Sequence, residues 1–277
     1  QIDVFLASEV EPSACLGLAT DAAVYGCHQS YGTWNVPGIE GHGPTPVGSA
    51  SSVPVGDVEL PETCDGHAEC PLGYECLEVD LDHLCLEQFG LYSIEGIPTN
   101  TPLVARARAT TNISKWHDTW LFNLYLYADA ADGDGRYHYD MTMVSHGQWL
   151  LTPNTVGLGD VPEQRGVVGG RIRDCREPGE RAGWPISEVS LGMANPAKGV
   201  VFFNNLEDDT VPLVDRVTTN ILGRFAALDI APGWNRLAGS ARVGGQVLSI
   251  GSADVYVFPN ALTVVSWPGR EPHWKQN

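Results

Sequence analysis

Residues 223–241 read GRFAALDIAPGWNRLAGSA, and residues 90–108 read GLYSIEGIPTNTPLVARAR. Laid together, Gly90 matches Gly223, Tyr92 matches Phe225, Ile97 matches Ile230, Val104 matches Leu237 and Ala105 matches Ala238. In the later stretch, alternation from Arg224 to Ile230 gives a strand one face of which points inward. Ala231, Pro232 and Gly233 supply a turn, and a second strand follows, so the pattern predicts a β-hairpin with one buried face. A lone hairpin is marginal in water and needs further strands over it. Two copies therefore predict a duplication that makes two small β-domains.

The spacing glycine, aromatic, apolar residue, Pro-Gly, then apolar strand in GRFAALDIAPGWNRLAG resembles the closing hairpin of carboxypeptidase regulatory-like domains, which are transthyretin-like β-sandwiches. The match runs over about residues 167–267. The earlier copy departs at the turn, where Thr99 and Asn100 stand in place of Pro-Gly. With TCDGHAECPLGYEC ahead of residue 90, the wider chain is similar to cysteine-containing secreted surface proteins of myxobacterial type. That resemblance implies a non-catalytic sandwich on a bacterial cell surface, although a fold does not by itself fix a function. Resemblance to small secreted knots also implies Cys64 paired with Cys76 and Cys70 with Cys85.

The totals agree with an all-β chain. A length of 277 residues that are 43% hydrophobic can bury one large core or two modest ones, and 31 glycines with 19 prolines imply many turns. A net charge of -18 disfavours nucleic acid and anionic membrane surfaces, and it favours divalent cations. No apolar run is long enough for a membrane span, and residue 1 opens directly into strand-like sequence, so an export leader is expected to have been removed. Seven cysteines, four of them between Cys64 and Cys85, point to an oxidising compartment.

Taken in order, residues 1–6 read as a strand related to residues 187–191. The later copy has an earlier strand, residues 168–172, and the first copy has no counterpart to it. Either that strand has been removed, or another part of the chain or another molecule supplies it, and an edge left unfilled would invite strand addition. Residues 11–58 read as a long loop stapled by Cys15 and Cys27, a closure worth about 3 kcal/mol. Cys64, Cys70, Cys76 and Cys85 are spaced Cys-x5-Cys-x5-Cys-x8-Cys, wider than zinc pairs, so disulfides are favoured over metal and Cys175 is left over. Residues 115–151 read as two strands joined by an acidic turn, with Trp120, Phe122, Leu124 and Leu126 on one face. A linker is expected at 152–166. The predicted organisation is a first sandwich at 1–111 with an insertion at 11–88 containing the 64–85 knot, connecting strands at 112–166, and a second sandwich at 167–277.

Several motifs bear on chemistry. Asp129, Asp132 and Asp134 in a glycine loop, with Asp140 downstream, are candidate Ca2+ ligands, because hard oxygens on a flexible turn suit that ion. A solvated hairpin turn is the competing reading. Cys15, Cys27 and His28 form a stretched haem c attachment pattern, with many more residues between the cysteines than the ordinary two, so a disulfide is favoured. Trp34, Trp116, Trp149 and Trp274 are candidate platforms for carbohydrate. His117 and His146 lie near strands with Asp118 and Gln148 nearby. Nucleophile, HExxH, phosphate-loop and dinucleotide signatures are missing from the sequence. The expected function is a non-enzymatic secreted or cell-surface structural or adhesion protein that binds copies of itself or other surface proteins. The alternative is an extracellular module for carbohydrate or Ca2+.

Overall fold

The computed structural model describes residues 1–18, 20–32, 43–52, 74–79, 82–87, 92–110, 115–126, 137, 141–173, 185–203, 212–213, 215–243 and 245–268. In chain order the elements are β1 (Ile2–Leu6), α1 (Asp21–Ser30), β2 (Gly48–Ala50), β3 (Tyr74–Val79), β4 (Asp82–Glu87), β5 (Pro102–Ala107), β6 (Trp116–Tyr125), β7 (Val144–Ser145) and α2 (His146–Thr155). There follow β8 (Gly166–Arg173), β9 (Val189–Met193), β10 (Gly199–Phe203), β11 (Pro212–Leu213), β12 (Arg224–Ile230), β13 (Gly233–Val243), β14 (Gln246–Val257) and β15 (Ala261–Pro268). The chain is mostly β, as its composition and turn content predict. No helix among the described residues is long and apolar enough to cross a membrane.

Among the described residues, ten strands form one sheet in the order β11-β10-β12-β8-β15-β6-β5-β1-β2, with β7 also on β6. A second sheet has the order β14-β13-β9, and β3 and β4 form a separate ribbon. At the centre of the large sheet, β15 runs parallel to both of its neighbours, β6 and β8. Its β-branched run Thr263-Val264-Val265 suits a strand covered on both faces. The β15–β6 pairing crosses the expected boundary at 166 and the β5–β6 pairing the one at 111, so strands expected in the two sandwiches lie in one layer, joined through β6 of the expected connecting segment.

The two matched segments sit in different places. Residues 224–230 are a strand of the large sheet, whereas residues 92–97 contain no strand. β5 belongs to the large sheet and β13, its counterpart, to the small one. The expected hairpin is therefore corrected to a crossover. β12 is occupied on both edges by β10 and β8, β13 is occupied by β14 and β9, and the chain changes layer at Ala231-Pro232. Proline has no amide hydrogen for a ladder bond, which suits it to such a corner. Gly223 does hold the place the motif assigns it: its φ is 66°, and a Cβ there would lie 2.3 Å from the Ile172 carbonyl oxygen.

Of the alternatives for the edge beside residues 1–6, the structure shows supply by another part of the chain. β1 pairs with β5 on one side and β2 on the other, so the long segment after it folds back and fills that edge from within the chain. The segment itself contains α1, where a loop was expected. Thr20 caps the helix by accepting from the Ala23 amide, and Val24, Cys27 and His28 follow a helical spacing that Gly26 partly hides. Among the described residues between β6 and α2, Val144–Ser145 pairs as a strand, and the expected linker begins inside α2.

Two bulges set which residues face the core. Asn123 in β6 and Asp229 in β12 have φ of 60° and 57°, and the strand register shifts at both. An extra residue reverses the alternation beyond it. Trp120 and Phe122 therefore face the main core while Leu124 joins Leu121 on the other side, which corrects the expected shared face. The main core lies between the two sheets and includes Phe5, Trp120, Phe225, Ile230, Leu237, Tyr256 and Phe258. The outer face of the large sheet is covered by a cluster around Trp149, Val201 and Leu228, and by another around Val4, Leu103 and Leu121.

Candidate functional site

The polar chemistry of the described residues gathers along β6. Residues 117 and 118 are adjacent, so strand geometry sends their side chains to opposite faces of the sheet. Asp118 faces α1. It receives Arg106 Nε at 3.1 Å and Arg106 Nη2. The same guanidinium donates from Nη1 to the Tyr31 carbonyl and lies 4.9 Å over the Trp120 ring. Arg106 thus satisfies a carbonyl at the end of α1 that the helix leaves unpaired.

Around α1 the remaining groups are tied into the core. His28 is buried, with Nδ1 at 2.8 Å from the Val24 carbonyl and Nε2 at 2.8 Å from the Tyr256 hydroxyl. Burial holds the His28 imidazole below its ordinary value and pushes the Tyr31 hydroxyl up to about 12. The Tyr31 oxygen accepts from the Glu11 amide at 2.8 Å. Cys15 and Cys27 form a disulfide that joins the turn at Pro12–Gly17 to α1. The haem reading is corrected here: the two sulfurs it needs are bonded to each other, and both ring nitrogens of His28 are engaged.

On the other face, His117 is buried and stacks on Trp149, with centroids 4.2 Å apart and planes 10° apart. Its Nδ1 lies 3.3 Å from the Asn260 carbonyl, and its Nε2 lies 3.1 Å from Nδ1 of His146, whose ring is exposed. His146 opens α2 directly after Ser145, which forms a capping box with Gln148: Gln148 N donates to Ser145 Oγ at 3.2 Å and Ser145 N donates to Gln148 Oε1 at 3.3 Å. The short β6–β7 pairing sets Ser145 opposite Trp116 and so delivers His146 to His117. Burial, reinforced by the neighbouring His146, holds the His117 imidazole below its ordinary value.

The structure thus brings His117, His146, Gln148 and Trp149 together, and it turns Asp118 away from them. Trp116 is exposed, whereas Trp149, a predicted sugar platform, is buried as the support for His117. Asp129, Asp132, Asp134 and Asp140 lie outside the described residues, as do Cys64, Cys70, Cys175, Trp34 and Trp274. Cys76 and Cys85 stand opposite one another in the β3–β4 register. Among the described residues no three His, Cys, Asp or Glu side chains gather as a metal-holding group.

Sequence reasoning missed Arg106, Arg108, Asn260 and Tyr256. Arg106 and Arg108 share parity with Val104 on a strand whose other face is Leu103 and Ala105, and that parity is the signal that places them inward. Arg108 Nε donates to Asp3 Oδ2 at 3.0 Å, and Ser49 donates to Asp3 Oδ1 at 2.6 Å. A hollow of about 310 Å3 on the small sheet is lined by Glu188, Ser190, Thr218, Ser240 and Arg242. It is shallow and open and brings no second carboxylate or histidine beside Glu188. Compared with protein families, with curated proteins and with solved structures, the chain finds no match.

Proposed function

We propose that the chain is a non-enzymatic structural or adhesion module of a secreted or cell-surface bacterial protein, and that it associates with copies of itself by strand addition. An oxidising, extracellular setting is supported by the Cys15–Cys27 disulfide, and the net charge of -18 suits a soluble surface protein. The buried charged and imidazole groups Asp3, His28, Arg106, Arg108 and His117 are all engaged in holding elements together. A carboxypeptidase regulatory-like origin of the strands from 167 onward belongs to this reading and is supported by the glycine, aromatic and Pro-Gly pattern alone. The finer division into two sandwiches has no support in the strand pairing and is not part of the proposal.

The observation that carries the reading is β14. It is twelve residues long, and among the described residues it pairs on one edge only, with β13. Its leading half is partly open to solvent, with Val247 at 66% exposure and Leu248 half-buried. A long edge with apolar side chains is a template for another strand, and a charge placed there blocks such pairing. Among the described residues β14 thus offers an edge, whereas both edges of β1 are filled.

Sedimentation velocity over a wide concentration range tests this. The wild-type chain should gain mass with concentration, and the double variant Val247→Lys/Leu248→Lys should stay monomeric with an unchanged far-UV spectrum. A wild-type chain that is monomeric throughout would remove the proposal.

A further inference from the structure

We infer that His117 and His146 form a two-histidine site for a divalent transition metal, for which Zn2+ is the appropriate probe. The warrant is the order in which the ring nitrogens are engaged. A carbonyl oxygen only accepts, so the Asn260 carbonyl fixes the proton of the neutral His117 ring on Nδ1 and leaves the Nε2 lone pair for another partner. Histidines that ligate metals are commonly oriented in this way, by donation from the far nitrogen to a carbonyl. The stack on Trp149 holds the ring plane.

The Nε2 lone pair points toward His146 Nδ1, 3.1 Å away. Two nitrogens at that separation, each about 2.0–2.1 Å from a metal, subtend about 100° at it, near the tetrahedral and cis-octahedral values. In the metal-free pair, His146 donates from Nδ1 to His117. On binding, His146 moves that proton to its Nε2, and its exposed ring turns so that both lone pairs meet at the ion. The change is a tautomer shift with no net proton released, and His117 stays in place. Imidazole nitrogens suit Zn2+, Cu2+ and Ni2+, and the acidic chain raises the local concentration of any dication. Among the described residues no third His, Cys, Asp or Glu gathers with the pair. Asp118, next in sequence, faces the other side and is held by Arg106.

The test uses the full chain and zinc sulfate. Zn2+ should raise the thermal midpoint of the wild-type protein by mass action on the native state. In His146→Ala, whose altered ring is exposed and outside the core, Zn2+ affinity should fall on the order of tenfold or more. Nitrogen-detected imidazole spectra should show Zn2+ moving His117 Nε2 while Nδ1 keeps its proton, a response that a purely structural pair would not give. Equal Zn2+ affinity in wild type and His146→Ala, or a wild-type His117 signal unmoved by saturating Zn2+, would overturn the inference.

Discussion

Helices α1 and α2 lie against opposite faces of the same large sheet, and adjacent residues of one strand hold both. Asp118 reaches α1 through Arg106, and His117 reaches α2 through Trp149 and His146. The fastenings differ in kind. α1 is tied by a disulfide, a guanidinium on its final carbonyls and a histidine with both nitrogens engaged in the interior. α2 has an aromatic stack, a capping box and a histidine pair whose outer member is exposed. The first arrangement suits permanent closure of the core. The second leaves one imidazole of the pair at the surface.

The largest expected effect follows from cutting the α1 side. Arg106→Ala leaves Asp118 and the Tyr31 carbonyl without their partner, and losing one member of a buried pair costs about 3–5 kcal/mol, read as a fall in the urea midpoint. Replacing both members together, Arg106→Met with Asp118→Leu, should recover most of that loss. If the single and double variants are equally unstable, the pair is not what holds the helix. Next in size is the disulfide. Changing Cys15 and Cys27 together to Ala should cost about 3 kcal/mol, and thiol reductant should lower the wild-type midpoint to match. A reductant-insensitive midpoint would show that the staple contributes nothing.

On the α2 side the effects are smaller. Ser145→Ala removes the cap and should cost about 1 kcal/mol, with faster amide exchange in the first turn of α2 and none of that change in α1. The smallest effect is a pH slope. His28 and His117 both titrate below the ordinary imidazole value of 6.5, chiefly because they are buried. Between their depressed values and 6.5 the unfolded chain binds more protons than the native one. Their full contribution is thus present above pH 6.5 and is lost as pH falls below it. Urea midpoints measured from neutral to mildly acid pH should therefore decline, and His117→Asn should decline less steeply. Parallel slopes in the two proteins would assign the effect elsewhere.

Much of this was legible in the residues, and the rest was not for specific reasons. Turn content, alternation and the inward aromatics Phe225 and Trp120 announce a β protein, and Cys15 with Cys27 announces its staple. Ser145-His146-Gly147-Gln148 spells a capping box that the alternation just before it obscures, so α2 was open to reading. The two bulges were not, because whether Asn123 and Asp229 adopt positive φ is decided by the neighbouring strands. Nor was the candidate site. His117 and His146 meet only because two residues of β7 pair with the start of β6, and Asn260 joins them from the turn before β15. The similarity of 90–108 to 223–241 is real as a pattern of residues, but each strand's layer is set by which edges are already taken.

The account rests on β15 lying between β6 and β8, since that places both helices on one sheet. Backbone amide contacts from nuclear Overhauser spectra test it most directly. The account predicts that Leu262–Val265 show parallel-strand contacts to Thr119–Phe122 and also to Val167–Gly170. Contacts from Leu262–Val265 to Val167–Gly170 alone, with none to Thr119–Phe122, would contradict it.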